Sequence, residues 1–398
     1  MTPAARYQAA ITVLDQINEG VPAERALTAW ARSARYAGSG DRAAVRDHVF
    51  QVLRQKRSLA VLGGGTSGRA LVLGLLYSLG VEIDTFFNGS RHAPAPLDPG
   101  ESQGPAGTPD AQDGLDMPDW LLPELTRSLG SDLAAVCERL RQRAPVWLRV
   151  NLIKAGVAEA QSALAIEGIS THATPVSATA LEVTSGARRL RQSGAFQRGL
   201  IELQDVSSQK VVDMLPLTDA ARVLDFCAGG GGKALAIAAR APGLELFCHD
   251  AAPNRMGDIA VRATRAGARL YQIAADKLDK VAPFDLVLCD VPCSGSGAWA
   301  RSPDAKWRLD SQRLDQLAKV QDHVLDRAAS LVAPKGVLAY VTCSLLRCEN
   351  EDRVSAFAER HPDWKVTHQE RLLPTSGGDG FYTAHLTRAQ SVQYSTKD

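Results

Sequence analysis

At 398 residues, 45% hydrophobic and 22% charged, the chain has the composition of a soluble globular protein long enough for two or three domains. A formal net charge of +1 excludes a uniformly basic polyanion binder, so any contact with nucleic acid has to come from local patches. Apolar runs break at Gly, Arg or Asp before about 18 residues and Met1-Thr-Pro-Ala-Ala-Arg6 opens no signal core, so no membrane partner is expected and the cytoplasm is the default location.

Residues 1–88 read as helices: Tyr7, Ala10, Ile11, Leu14 and Ile17 keep a 3.6-residue period, as do Val45, Val49, Phe50, Val52 and Leu53. Residues 89–117 shift to Pro, Gly, Asp, Ser and Gln, which cannot bury enough surface to offset chain entropy, so a flexible linker is predicted. Across 118–200 a helix from Trp120 to about Arg141, a strand over 146–150, a helix over 157–166 and a short strand from Leu181 predict a small α/β module. Arg188, Arg189, Arg191 and Arg198 lie there between Gly186 and Gly199, a stretch without an acidic residue. A nucleic-acid track and an ordinary solvated loop fit that run equally.

From 201 to 398, strand signals at 222–225, 244–250, 270–273, 285–290 and 337–341 alternate with helical stretches, the pattern of a doubly wound, Rossmann-like parallel sheet. The first strand runs into Asp225-Phe-Cys227-Ala228-Gly229-Gly230-Gly231-Gly232-Lys233 and then a helix. Consecutive glycines let backbone pass close to a ligand, and the helix N-terminus favours polar or anionic groups, so a nucleotide-like cofactor is expected. Asp250, about 20 residues on at the next strand end, is placed for ribose hydroxyls, and Asp276 after the third strand for an adenine edge. Both aspartates acting as mere strand caps stays open. Gly229-Gly-Gly231-Gly-Lys-Ala234 also satisfies the dinucleotide pattern G-x-G-x-x-A, which alone is weak, whereas a P-loop is excluded by Cys227 at its first glycine and Ala234 after its lysine.

Seven cysteines form no C-x-x-C pair and no zinc-like spacing with the eight scattered histidines, so neither a disulfide framework nor a metal is expected. Cys137, Cys248 and Cys289 sit in apolar periodic stretches and are expected in the core, and nothing gives Cys348 a task. Cys293 and Cys343 differ: each follows an apolar run, 284–289 and 337–341, so each thiol should emerge at the carboxyl end of a strand. Two thiols facing one pocket suggest addition to an electron-poor ring such as a pyrimidine.

Asp290-Val-Pro292-Cys293 after the fourth strand and Thr342-Cys343-Ser344 after the fifth form a double-cysteine signature. With Leu148-Arg149-Val-Asn151, Gln204-Asp205-Val-Ser207-Ser208-Gln209, Arg301-Ser-Pro303-Asp304-Ala-Lys306-Trp307, Glu349-Asn350-Glu351 and Asp379-Gly380-Phe381-Tyr382, it resembles the Sun-type (Nol-Nop-Sun) family of RNA cytosine-5 methyltransferases along most of the chain. The resemblance implies S-adenosylmethionine as cofactor, held by residues 227–233 with Asp250, Arg255, Asp276 and Asp290. It implies that Cys343 attacks carbon 6 of the base, that Cys293 assists release, and that Asp290 bonds the base at N3 and the amino group, while Lys233 either caps a helix or orients the catalytic groups. The base must be single-stranded or flipped out. The N-terminal helices look like a NusB-type RNA-binding domain, shorter than the full fold, and Arg149, Arg188, Arg189, Arg191 and Arg301 are the expected RNA contacts. RNA is thus the partner, ribosomal RNA first, for a monomeric enzyme; transfer RNA with the same chemistry, or a non-catalytic RNA-binding assembly factor, remain alternatives. The family writes its loop Cys-Ala-Ala-Pro-Gly-Gly-Lys, and loss of that proline predicts a looser turn here.

Overall fold

The computed structural model describes residues 1–101, 104–218 and 221–389. The chain divides into two compact units, Met1–Arg143 with Trp299–Asp310, and Ala144–Ala298 with the described residues from Ser311 onward.

The first unit is helical. Pro3–Asn18, Ala23–Ser33, Ser39–Arg54, Lys56–Gly63 and Gly68–Leu79 pack Leu14, Val49, Leu53, Leu59, Leu71, Leu75 and Phe87 into one core. Local chemistry sets the helix ends: the Thr2 and Ser67 hydroxyls accept the N–H groups of Ala5 and Ala70, and Gly64 and Gly80 close helices in the left-handed conformation. A Cβ on Gly74 would lie 2.1 Å from the Leu59 carbonyl oxygen, so the last two helices touch backbone to backbone. That pair bends by 92°, and no single helix among the described residues is long and apolar enough to cross a membrane.

The described residues of 89–117, a segment expected as a flexible linker, lie against these helices instead. Arg69 pairs with Glu101 at 2.7 Å and donates to the Ala95 and Pro96 carbonyls, Arg57 pairs with Asp113 at 2.7 Å, and the buried Asp116 carboxylate accepts the Ser58 N–H at 2.9 Å. Composition misled because the segment is held by arginine pairs and polar turns, which an apolar count does not register. The helix expected over 120–141 is broken into Leu122–Leu129 and Leu133–Leu140 by Gly130 at φ +52°, and both pieces belong to the helical unit. So does the Arg301-to-Trp307 motif: Lys306 Nζ donates to the Arg54 and Asp116 carbonyls at 3.0 and 2.7 Å, and Trp307 Nε1 to the Leu53 carbonyl at 2.7 Å.

The second unit holds two sheets. Strands β1 (Trp147–Val150), β2 (Ser170–Ala173), β3 (Ala180–Ser185) and β4 (Ile201–Leu203) pair antiparallel in the order β2-β3-β1-β4. The larger sheet contains β5 (Arg222–Asp225), β6 (Glu245–Cys248), β7 (Tyr271–Gln272), β8 (Phe284–Asp290), β9 (Val332–Thr342), β10 (Trp364–Leu372) and β11 (Phe381–Arg388), ordered β10-β11-β9-β8-β5-β6-β7. Strands β5 to β9 are parallel, and β11 runs antiparallel between β9 and β10. Leu286, Val287, Leu288 and Cys289 are all buried because helices cover both faces, which is why this part of β8 reads as an apolar run, with only Asp285 near its start exposed. The edge strands β2 and β10 are largely polar and escape a search for apolar patterning. Chain order reverses between β5 and β8, so the crevice of a doubly wound sheet opens at their carboxyl ends.

Several matched motifs tie the two sheets together. Arg149 Nη1 donates to the Leu235 carbonyl at 3.1 Å, Asn151 Nδ2 to the Ala266 carbonyl at 2.8 Å, and Gln209 Nε2 to the Leu148 carbonyl at 3.1 Å. Arg149, expected on an RNA track, is therefore buried in a structural joint, and burial pushes its guanidinium down to about 10.

Candidate active site

β5 ends at Asp225, and the chain turns through Cys227, Ala228, Gly229, Gly230 and Gly231 into the helix Gly232–Arg240. Gly229 and Gly231 have φ of +49° and +77°, where a side chain is costly. The end of β6 pins this turn: Ala228 N–H donates to the His249 carbonyl and Gly229 N–H to Asp250 Oδ2, both at 2.9 Å. Asp250 also accepts the Ala252 N–H at 2.9 Å and pairs with Arg255 at 3.1 Å, so its first task is to shape the glycine turn. From the other side Arg262 donates to the Gly230 carbonyl while paired at 3.1 Å with the buried Glu202 of β4. Asp276 is exposed in the turn Ala275–Lys277 after β7.

Asp225 is buried at the head of the crevice. Burial, followed by the charge of Asp290, pushes its carboxyl up to about 7 against the pull of Lys233. Its Oδ1 has no hydrogen-bond partner among the described residues. Lys233, in the first turn of the helix, donates from Nζ to Asp290 Oδ2 at 2.6 Å and lies 5.0 Å from the centre of the Phe381 ring. Burial draws the lysine down, but the charge and hydrogen bond of Asp290 outweigh it and hold the ammonium above its ordinary pKa.

Cys293 lies three residues beyond β8 and Cys343 directly follows β9. Because β8 and β9 are neighbours, their sulfurs meet at 3.4 Å. Their hydrogen bond, then burial, holds the Cys293 thiol well above its ordinary pKa. Gly297 N–H donates to the Cys343 carbonyl at 3.0 Å, and a Cβ on Gly297 would stand 2.0 Å from the Gly380 carbonyl oxygen, so only glycine lets these loops close.

The structure thus brings Cys343, Cys293, Asp290, Lys233 and the glycine turn to one end of the sheet. Arg188, Arg189, Arg191 and Arg198 are exposed on the second unit, whereas Arg301 is half-buried on the helical unit's segment. Cys137, Cys248 and Cys289 are buried, matching a packing role. Asp225, Arg262, Glu202, Phe381 and Glu349 carry no task readable from the sequence; the one available signal is that Asp225, Phe381 and Glu349 lie in motifs already singled out.

The family model described as "16S rRNA methyltransferase RsmB/F" matches residues 212–387, and that of the "Methyltr_RsmF/B-like, ferredoxin-like domain" matches 117–188. A protein of Xanthomonas campestris pv. campestris named "Ribosomal RNA small subunit methyltransferase B" is 36% identical over 302 residues, covering 71% of this chain and 69% of its own. One of the same name from Xylella fastidiosa strain Temecula1 is 33% identical over 295 residues, covering 69% and 68%. Among solved structures, PH0851 is similar with a TM-score of 0.75 at 21% identity over 98% of this chain and 99% of its own. NSun6 from Pyrococcus horikoshii, crystallised with SFG, scores 0.61 at 18% identity over 68% and 98%. Fold and matches together define an RNA methyltransferase. The chain belongs to the RsmB/F family of RNA methyltransferases.

Proposed function

We propose that this protein methylates carbon 5 of a cytosine in small-subunit ribosomal RNA, using S-adenosylmethionine and a covalent adduct between Cys343 and carbon 6 of the base. The observation that carries this reading is the 3.4 Å approach of two thiols at adjacent strand ends, with the Lys233–Asp290 pair at the same end of the sheet. The relatives' printed names supply the ribosomal substrate.

The cofactor fits the residues present. The unpartnered Asp225 Oδ1 is a buried acceptor awaiting a donor, which the cofactor's amino group offers, and the left-handed Gly229 and Gly231 leave the turn clear of side chains. Gly229 to Lys233, Asp250, Arg255, Asp276 and Asp290 would hold it. When bound, it supplies an electrophilic methyl group on a sulfonium.

Carbon 5 of cytosine is a weak nucleophile until a thiolate adds to carbon 6, so Cys343 attacks there and the electron pair moves toward carbon 5. Asp290, held by Lys233, would meet the N3 and amino edge, accepting from the amino group and reaching N3 through a shared proton, while the Lys233 ammonium offsets the negative charge that develops on the ring. After methylation the carbon 5 proton leaves to solvent base, the bond from carbon 6 to sulfur breaks, and Cys293, kept as a thiol, donates its proton toward the departing Cys343 thiolate.

The test is trapping. Cys293→Ala incubated with substrate RNA and S-adenosylmethionine should give a slow-migrating protein–RNA band on a denaturing gel, and Cys343→Ala none. The reverse pattern exchanges the two roles, and full turnover in both variants removes thiol chemistry. Bisulfite sequencing of total RNA with and without the gene names the site, and a 5-methylcytosine lost from transfer RNA would move the substrate there.

A further inference from the structure

Glu349 has no part in the chemistry above, yet it is fully buried on the turn Arg347–Glu349 just beyond Cys343. Its carboxylate takes four hydrogen bonds. Oε2 accepts the hydroxyls of Ser294 and Ser344, each at 2.5 Å, and Oε1 accepts the Ser294 N–H at 2.8 Å and Gln321 Nε2 at 3.1 Å. Ser294 follows Cys293 and Ser344 follows Cys343, so one side chain grips the residue beside each thiol. Gln321 also donates to the Pro292 carbonyl at 3.0 Å, on the other side of Cys293. Asn350, by contrast, accepts the Thr342 hydroxyl and donates to the Ser344 carbonyl, so it serves the Cys343 loop alone. A buried carboxylate is costly without donors, and here most of its donors come from two loops far apart in sequence. Those loops must converge for it to be satisfied.

We infer that Glu349 is a positioning residue that holds the thiols of Cys293 and Cys343 in contact, an inference resting on the two-thiol reading of the site.

Oxidative cross-linking of the full chain measures the thiol separation without RNA or turnover. Diamide takes two protons and two electrons from a thiol pair and leaves a disulfide, which peptide mass mapping assigns to Cys293 and Cys343. Glu349→Ala should slow that disulfide by about tenfold or more, the factor that one charge-assisted hydrogen bond is worth. Glu349→Gln should stay near the wild-type rate, because its amide can accept the Ser294 N–H and donate to the hydroxyls. Ser294→Ala should fall between them. S-adenosylmethionine affinity reports that each variant is folded. Wild-type cross-linking in a folded Glu349→Ala overturns the positioning role; should that variant fail to bind cofactor, wild-type cross-linking in Ser294→Ala overturns it instead. A Glu349→Ala protein that cross-links slowly but methylates at the full rate keeps the positioning role and overturns the two-thiol chemistry.

Discussion

Asp225 is where the physical demands of the fold and of the site collide. A carboxyl group with one oxygen unpartnered, buried beside Asp290, is held as an acid up to about pH 7. Because its folded pKa lies above the unfolded one, the folded chain holds that proton more tightly. The stabilisation is present below the ordinary carboxylate range and is lost as pH rises through about 7. Asp225→Asn should therefore remove a downward slope in the stability of the cofactor-free protein between about pH 4 and pH 7. Urea unfolding across that range measures it, and superimposable pH profiles for wild type and variant would rule the assignment out.

At the scale of single elements, the turn Ala187–Gln192 is the remaining candidate for a polyanion surface on the second unit. Arg188, Arg189 and Arg191 are exposed there, while Arg149, once grouped with them, is a buried joint. Exposed cations that contact phosphate release counterions, so changing these three to Ala should weaken RNA binding and lower the salt slope by up to about three. Filter binding over a range of salt concentrations decides it: an unchanged affinity and slope would make the turn an ordinary solvated loop. The glycine turn shows the same dependence on neighbours, since its backbone is held by Asp250 from one strand end and by Arg262, itself anchored on β4, from the other side.

Across the whole molecule, the segment Trp299–Asp310 is built into the helical unit, and Lys306 is its anchor there. Its ammonium is buried and satisfies the carbonyls of Arg54 and Asp116, and burial pulls its pKa down to about 8. Lys306→Met leaves both carbonyls without a donor, a loss of about 2 kcal/mol or more. Hydrogen exchange on the full chain should show reduced protection in Ser39–Arg54 with the large sheet unaffected. Equal protection in variant and wild type would make the lysine dispensable.

The doubly wound sheet, the glycine turn and the two thiols are legible in the amino-acid order, because each is written locally: a parallel strand buried on both faces is an apolar run, and the residues just after it are the ones the crevice exposes. The same order misplaces the polar segment before Met117 and the partners of Arg149, since a run of Pro, Gly and Asp looks disordered whether or not arginines elsewhere take hold of it. That Glu349 belongs to both cysteine loops is visible in the folded chain alone. Ser344 is five residues from it and Ser294 fifty-five, and no local pattern records that a buried carboxylate finds its donors across such a distance. The separation of the two sulfurs follows from the pairing of β8 with β9 and from that shared acceptor, both of which arise only when the chain has closed on itself.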